Sequence, residues 1–408
     1  MTRTGIRVKP ILLFLLLAAI AVRLGFFAVS VINIPASFDE SITMLEARAI
    51  VQEAGSIELE AKQHPRMLFG RFPLLMLAQP YLFPLEAYVI APFVRMLPAN
   101  AFGARLLPLA MGILSVLLTG LGLIRLSGWR KTWPGLLLVL WPSSYFLTLQ
   151  AGYALPGYPA MFLLSGLMLF LAAGGKNAAS YKRRFLRALL VGACGGLACS
   201  VTLMSAPLLA AFALLVVPGR DRRQWVSGAC GYVAGALAGL VPYVLARAMY
   251  PGAYAAVSGT LGIGQALSRF FSPAIDFTLP CALGIRPCVF PDGETVTWFE
   301  GAAAWGGYAT LVFMIICTCM CAWRFLGRLL RTRLIGFETA DAMVAACWLA
   351  IGLFIFSARS HSGTYRYMLI AVWALPVLAG AAYSWGYNWL RKLIVAVVSV
   401  ALCFNVAG

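Results

Sequence analysis

Long apolar runs alternate along the chain with short polar and basic clusters, and the runs have the length of membrane crossings, since a helix needs roughly 20 predominantly apolar residues to traverse a bilayer core. Taken with the basic clusters as punctuation, the pattern predicts about eleven helical spans. The first covers Pro10 to Ile32. The second, Gly103 to Ile124, is closed by Arg125, Arg130 and Lys131; the third is Trp133 to Gln150 and the fourth Gly157 to Ala173. Two short spans follow at Leu186 to Leu203 and Ser205 to Val217, then a seventh at Gln224 to Ala246. The last four are Ala302 to Trp323, Ala340 to Ser357, Tyr367 to Tyr383 and Arg391 to Val406.

The segments 33–102 and 249–301 interrupt this pattern and are too long and too polar to be plain connections. Loops of that length usually carry function. Within the first, Ser41 to Gln52 places Ile42, Leu45 and Ala49 on one helical face, and Pro84 to Leu97 forms a second amphipathic piece. Both are predicted to be helices lying in the membrane interface.

Composition sharpens the class. With 62% hydrophobic residues, 11% charged residues and a mean hydropathy of +0.86, the chain is excluded from the soluble globular class and takes lipid as part of its solvent. A net charge of +18 in a soluble protein would direct attention to nucleic acid. Here the basic residues fall between apolar runs, as topology signals do, and no nucleic-acid partner is expected. Arg3, Arg7 and Lys9 resemble the start of a signal peptide, but the apolar run behind them is too long for one and is predicted to be a retained helix. The expected architecture is an all-α polytopic membrane protein, residues 1–408 forming a single transmembrane domain.

If the N-terminus is cytoplasmic, the tail and the loops after every second span collect most of the 32 Lys and Arg, as the positive-inside rule requires. Most of the 14 acidic residues then fall outside, leaving Asp221, Glu338 and Asp341 inside. Any carboxylate chemistry is therefore expected on the extracytoplasmic side of an inner (plasma) membrane. Gly231, Gly235 and Gly239, and likewise Gly192 and Gly196, repeat every four residues, a spacing that predicts close helix packing.

The first acidic residues of the chain, Asp39 and Glu40, stand side by side just beyond the first span. Ser37 with Glu40 forms a capping-box pattern, and acids in a first helical turn are favoured by the helix dipole. Capping accounts for Glu40 better than for Asp39, which remains available for chemistry.

Several stretches in order carry a family likeness. A first helix, the Asp39–Glu40 pair, QPYLFPLEAYVIAP, and the bridge ANAFGARLLP entering a span that ends in Arg resemble the N-terminal third of GT-C superfamily membrane glycosyltransferases. The likeness is to the branch of protein O-mannosyltransferases and aminoarabinose transferases. AGYALPGYPAMFLLSG and TYRYMLIAVWALPVLAG are further similarities, so the resemblance covers residues 10–175 and returns at Thr364 to Gly380. It implies an inverting transfer of a sugar from a polyprenyl-phosphate donor to an acceptor hydroxyl at the outer face. Membrane lipid is the setting, and the acceptor is a glycan, lipid or protein.

The resemblance makes Asp39, with Glu40 beside it, the catalytic carboxylate that takes the acceptor proton. An anionic lipid phosphate leaves in that reaction, and guanidinium groups suit it because their planar fork donates two hydrogen bonds at once. Candidates are Arg66 and Arg71, with Lys62 and His64, in the first loop, and Arg359, His361, Tyr365 and Arg366 in the last outer loop. Gln79, Tyr81, Glu86 and Tyr88 correspond to the family's first-loop aromatic motif and are expected to orient substrate. The chain departs from relatives that carry Lys beside this motif, having Gln79 before Pro80. An acid pair without spaced histidines does not make a metal motif, so no cofactor is expected; a divalent ion is the only candidate.

Eight of the 10 cysteines fall in predicted spans and are expected to act as small apolar residues. Cys317, Cys319 and Cys321 point in different directions on a helix and are not expected to ligate metal. Cys281 and Cys288, in PCALGIRPC, are candidates for a loop disulfide. Arg23 is the one charge deep in a span, expected to snorkel or to pair with a polar group of another span. Competing readings are a transporter or flippase, against which stands the lack of a central acid in any span, and a polymerase or ligase of lipid-linked glycans.

Overall fold

The computed structural model describes residues 10–36, 38–51, 66–68, 72–74, 85–98, 100–142, 157–173, 180–202, 205–218, 221–249, 297–332, 339–357 and 369–407. Its helices in chain order are α1 (Pro10–Asn33), α2 (Phe38–Val51), α3 (Leu85–Ile90), α4 (Ala101–Ser127), α5 (Trp129–Leu140), α6 (Tyr158–Ala173) and α7 (Tyr181–Val201). They continue as α8 (Ala206–Val216), α9 (Arg222–Met249), α10 (Thr297–Thr332), α11 (Thr339–Ser357), α12 (Leu369–Tyr383) and α13 (Asn388–Ala407). A 3-10 turn, Ala91–Phe93, extends α3. Each predicted span overlaps a helix; for the third, the helix runs to Leu140 and residues 143–150 lie outside the described residues. Among the described residues, Leu13–Asn33, Ala101–Ser127, Tyr181–Val201 and Arg222–Leu245 are long and apolar enough to cross a membrane, and five shorter helices are apolar.

Helix dominates because lipid offers the backbone no hydrogen bonds, so each segment must satisfy its own. Among the described residues, the exception to helix is a small hairpin in the first loop, β1 (Arg66–Leu68) with β2 (Phe72–Leu74), antiparallel and in register Arg66 with Leu74 and Leu68 with Phe72. The disulfide candidates Cys281 and Cys288, and most of the 249–301 segment, lie outside the described residues.

The core gathers side chains from α4, α5, α6, α8, α11 and α12, with Phe162, Met168, Phe212, Ile351 and Leu378 sealed from any surface. Ser115 Oγ of α4 donates to Phe162 O of α6 at 2.8 Å, and Trp348 Nε1 of α11 donates to Met314 O of α10 at 3.2 Å. Helices α7 and α9 make the closest pairing. Gly192 and Gly196 of α7 face Tyr232 and Ala236 of α9, while Gly235 and Gly239 face Leu189 and Ala193 in return. These are the glycines whose spacing predicted packing. Outward residues such as Val233, Leu237 and Val244 of α9, and Trp305 and Trp323 of α10, are exposed and apolar, as lipid requires. In the cysteine trio, Cys317 and Cys321 are buried and Cys319 is exposed, so they diverge as expected.

Three buried arginines close helix ends. Helices leave their last carbonyls without internal donors, and in an apolar medium such orphans are costly. Arg23 of α1, 1% exposed, donates to Val139 O at 3.2 Å and Leu140 O at 2.9 Å, the end of α5. Arg184 of α7 donates to Val217 O at 3.1 Å and also to Pro218 O, closing α8. Arg105 of α4 closes α1. Arg23 therefore does not snorkel; in keeping with the second expectation, it bonds to polar groups of another helix. Arg23→Met is expected to lower stability by about 2–3 kcal/mol, the desolvation penalty of carbonyls left without a donor, read as a drop in thermal midpoint of the detergent-solubilised protein.

Candidate functional site

The best-defined polar assembly lies where α1 ends and α2 begins. Asn100 caps α4 by accepting from Gly103 N at 3.2 Å, and this start sets Arg105 in the first turns of α4. Arg105 is 1% exposed and Glu40 is 0% exposed. Nε of Arg105 donates to Glu40 Oε1 at 2.7 Å and Nη2 donates to Oε2 at 2.9 Å, a two-pronged pair. The remaining donors go to the end of the first span: Nη1 to Ser30 O at 2.9 Å and Ile34 O at 3.0 Å, Nη2 to Pro35 O at 2.9 Å. One side chain thus fastens three elements, and its N–H groups are all engaged by the protein.

Helix α2 keeps Leu45 of its expected apolar face outward, where lipid lies, and turns its polar side chains inward. The predicted apolar face includes Leu45, which is 40% exposed, whereas Glu40, Thr43, Met44, Glu46 and Ala47 are buried. The physical reason is the medium. An apolar residue loses little by facing lipid, while carboxyl and hydroxyl groups find partners only inside. Met44 and Ala47 pack with Ala87, Ile90, Ala91, Val94 and Ala104, so α2, α3 and the 3-10 turn are clamped onto α4 instead of lying free in the interface. Phe27 of α1 meets Phe102 edge-on, with ring centroids 5.7 Å apart, on the neighbouring side.

Glu86 of α3 is buried and reaches the N-terminus of α6, where its Oε1 accepts from Gly157 N at 3.0 Å and Ala160 N at 3.2 Å. A carboxylate suits the positive end of a helix and supplies the acceptor that the first N–H groups lack. Burial raises its pKa to about 7, opposed by those backbone hydrogen bonds. Glu46 of α2 is raised to about 9, first by burial and then by the charge of Glu86.

The remaining expected site residues are placed as follows. Asp39 stands in the first turn of α2, one residue before Glu40, and Tyr88 is half-buried on α3. Arg66 is in β1. Arg71, Gln79, Tyr81, Arg359, His361, Tyr365 and Arg366 lie outside the described residues, as do Lys62 and His64. The structure thus brings Glu40 and Glu86 onto helices packed around α4. Arg105 and Glu46 were not anticipated from sequence. The signal for Arg105 was a lone arginine early in an apolar helix; for Glu46 it was an acid whose helical face is shared with Thr43.

No family model matches the chain, and no curated protein matches it. The chain is similar to the crystal structure of ArnT from Cupriavidus metallidurans in the apo state, with 15% sequence identity, a TM-score of 0.40, and coverage of 96% of this chain and 77% of that one. A superposition that loose assigns neither fold nor activity.

Proposed function

We propose that the chain is an integral-membrane inverting glycosyltransferase that moves a sugar from a polyprenyl-phosphate donor to an acceptor hydroxyl at the extracytoplasmic face. The observation that carries this reading is the inward-turned polar face of α2, whose first turn is bolted to α1 and α4 through Glu40 and Arg105. That arrangement fixes the backbone bearing Asp39 at the end of the first span.

Asp39 acts as the base. It accepts the proton of the acceptor hydroxyl as the oxygen attacks C1 of the sugar from the face opposite the phosphate; the C1–O bond to phosphate breaks and its electron pair leaves on the lipid phosphate. Glu40 is the positioning partner, because its carboxylate is already held by Arg105. Arg105 is equally committed, so phosphate recognition falls to Arg66, Arg71, Arg359, His361, Tyr365 and Arg366. Gln79, Tyr81 and Tyr88 orient the sugar or acceptor, while Glu86 serves the bundle through the start of α6.

Asp39→Asn in membranes is expected to abolish transfer of labelled sugar from a polyprenyl phosphate, by about 100-fold or more, with insertion and thermal midpoint unchanged. Undiminished transfer removes Asp39 from the reaction. Substrate movement across vesicles without any transfer product favours a transporter.

A further inference from the structure

The proposed reaction makes no use of the Glu46 and Glu86 carboxyls. They sit on the packed helices α2 and α3, 2% and 3% exposed, and the Oε2 atom of each has no hydrogen-bond partner among the described residues. No cation forms an ion pair with either there. Two neighbouring buried carboxyls in that setting cannot both be charged without a large cost, so they titrate as a pair that retains a proton. The asymmetry is set by geometry. Glu86 has the α6 N-terminus to stabilise an anion, whereas Glu46 has no comparable donor among the described residues and takes the neutral form.

We infer that Glu46 and Glu86 form a proton-dependent clasp that holds the Asp39-bearing helix α2 to α3 and, through the Glu86 cap, to the N-terminal end of α6. While Glu46 keeps its proton the clasp is closed; when both carboxyls ionise, their repulsion in a dry site loosens α2 and α3.

Among the described residues, the elements around the pair add few other titratable groups. The elements packed around the pair are α2, α3, α4, α6 and the 3-10 turn. Their described charged or titratable side chains are Glu40 and Arg105, bound to each other, half-buried Arg48, exposed Arg95 beyond the turn, Tyr88, Tyr158, and Arg125 at the far end of α4. Asp39 is two helical turns before Glu46.

Both acids bind protons more tightly in the fold than in the unfolded chain. Their stabilising contribution is therefore complete below the ordinary carboxyl value of 4.5 and is lost as pH rises, through about 7 for Glu86 and about 9 for Glu46.

The test is hydrogen exchange of the full-length protein in nanodiscs, corrected for the intrinsic pH dependence of exchange. Protection of peptides covering α2, α3 and residues 157–160 is expected to fall about tenfold or more between about pH 6 and about pH 9 in the native sequence, and to stay level at the upper end in Glu46→Gln. Infrared difference spectra of the native protein at about pH 8 are expected to show a neutral carboxyl band that Glu46→Gln lacks. Level protection in the native protein, an equal decline in Glu46→Gln, or absence of the neutral-acid band overturns the inference.

Discussion

Arg105→Met is expected to cost about 3–5 kcal/mol, because removing one member of a buried ion pair strands the other charge. Glu40, with 0% exposure, would be left without its cation, and the carbonyls of Ile34 and Pro35 without the Arg105 donor, while Ser30 O would keep only the Ile34 N–H. Thermal unfolding of the detergent-solubilised protein measures the loss. The double variant Glu40→Met with Arg105→Met separates the two contributions. Replacing a whole buried pair by apolar side chains is often close to neutral, whereas each carbonyl still lacking a donor costs about 1–3 kcal/mol. Partial recovery is therefore expected. Full recovery to native stability would mean that the carbonyl contacts contribute nothing and that Arg105 is only a counter-charge. The order of effects also separates roles, since Asp39→Asn is expected to remove transfer at intact stability while Arg105→Met loses the fold first.

Gly235→Leu should prise α7 and α9 apart. A methyl at Gly235 already overlaps the Leu189 carbonyl oxygen and approaches Ala193 N to 2.8 Å, and both are backbone atoms that cannot swing aside. Relieving the overlap means separating the two helices along their length. That also strips the facing contacts at Gly192, Gly196 and Gly239. Overpacking by a small group costs about 1–3 kcal/mol, and the isobutyl group is expected to exceed that range. Gly327→Ala in α10 is the control. Its added methyl meets nothing within 4 Å, and alanine is preferred to glycine in a helix interior by about 1 kcal/mol, so the thermal midpoint should hold or rise.

Helix positions and the glycine face were legible because both are one-dimensional: apolar run length gives a crossing, and spacing by four gives a seam. Helix α2 shows where that logic stopped. Its amphipathic pattern was visible and Leu45 does face outward, but spacing alone did not show that Glu40, Thr43 and Glu46 would be packed inward against the bundle. Arg105 stood in ANAFGARLLP, yet its partners are Glu40, 65 residues earlier, and carbonyls 70 to 75 residues earlier. Carbonyls leave no mark on composition, so no count of side chains could find them. The same is true of Glu86, whose partners at Gly157 and Ala160 are amide groups.

The arginine end-stops have a bearing on how basic residues are counted in this chain. Arg23, Arg105 and Arg184 are buried and each donates to main-chain oxygens at a helix end, Arg105 also to the Glu40 carboxylate. A lysine, with three tetrahedral donors on a point charge, cannot reproduce the planar reach to several oxygens at once. Two chemically separate populations of cation therefore share the 32 Lys and Arg: exposed ones, where either residue meets solvent or headgroups, and interior ones where only the guanidinium shape will serve.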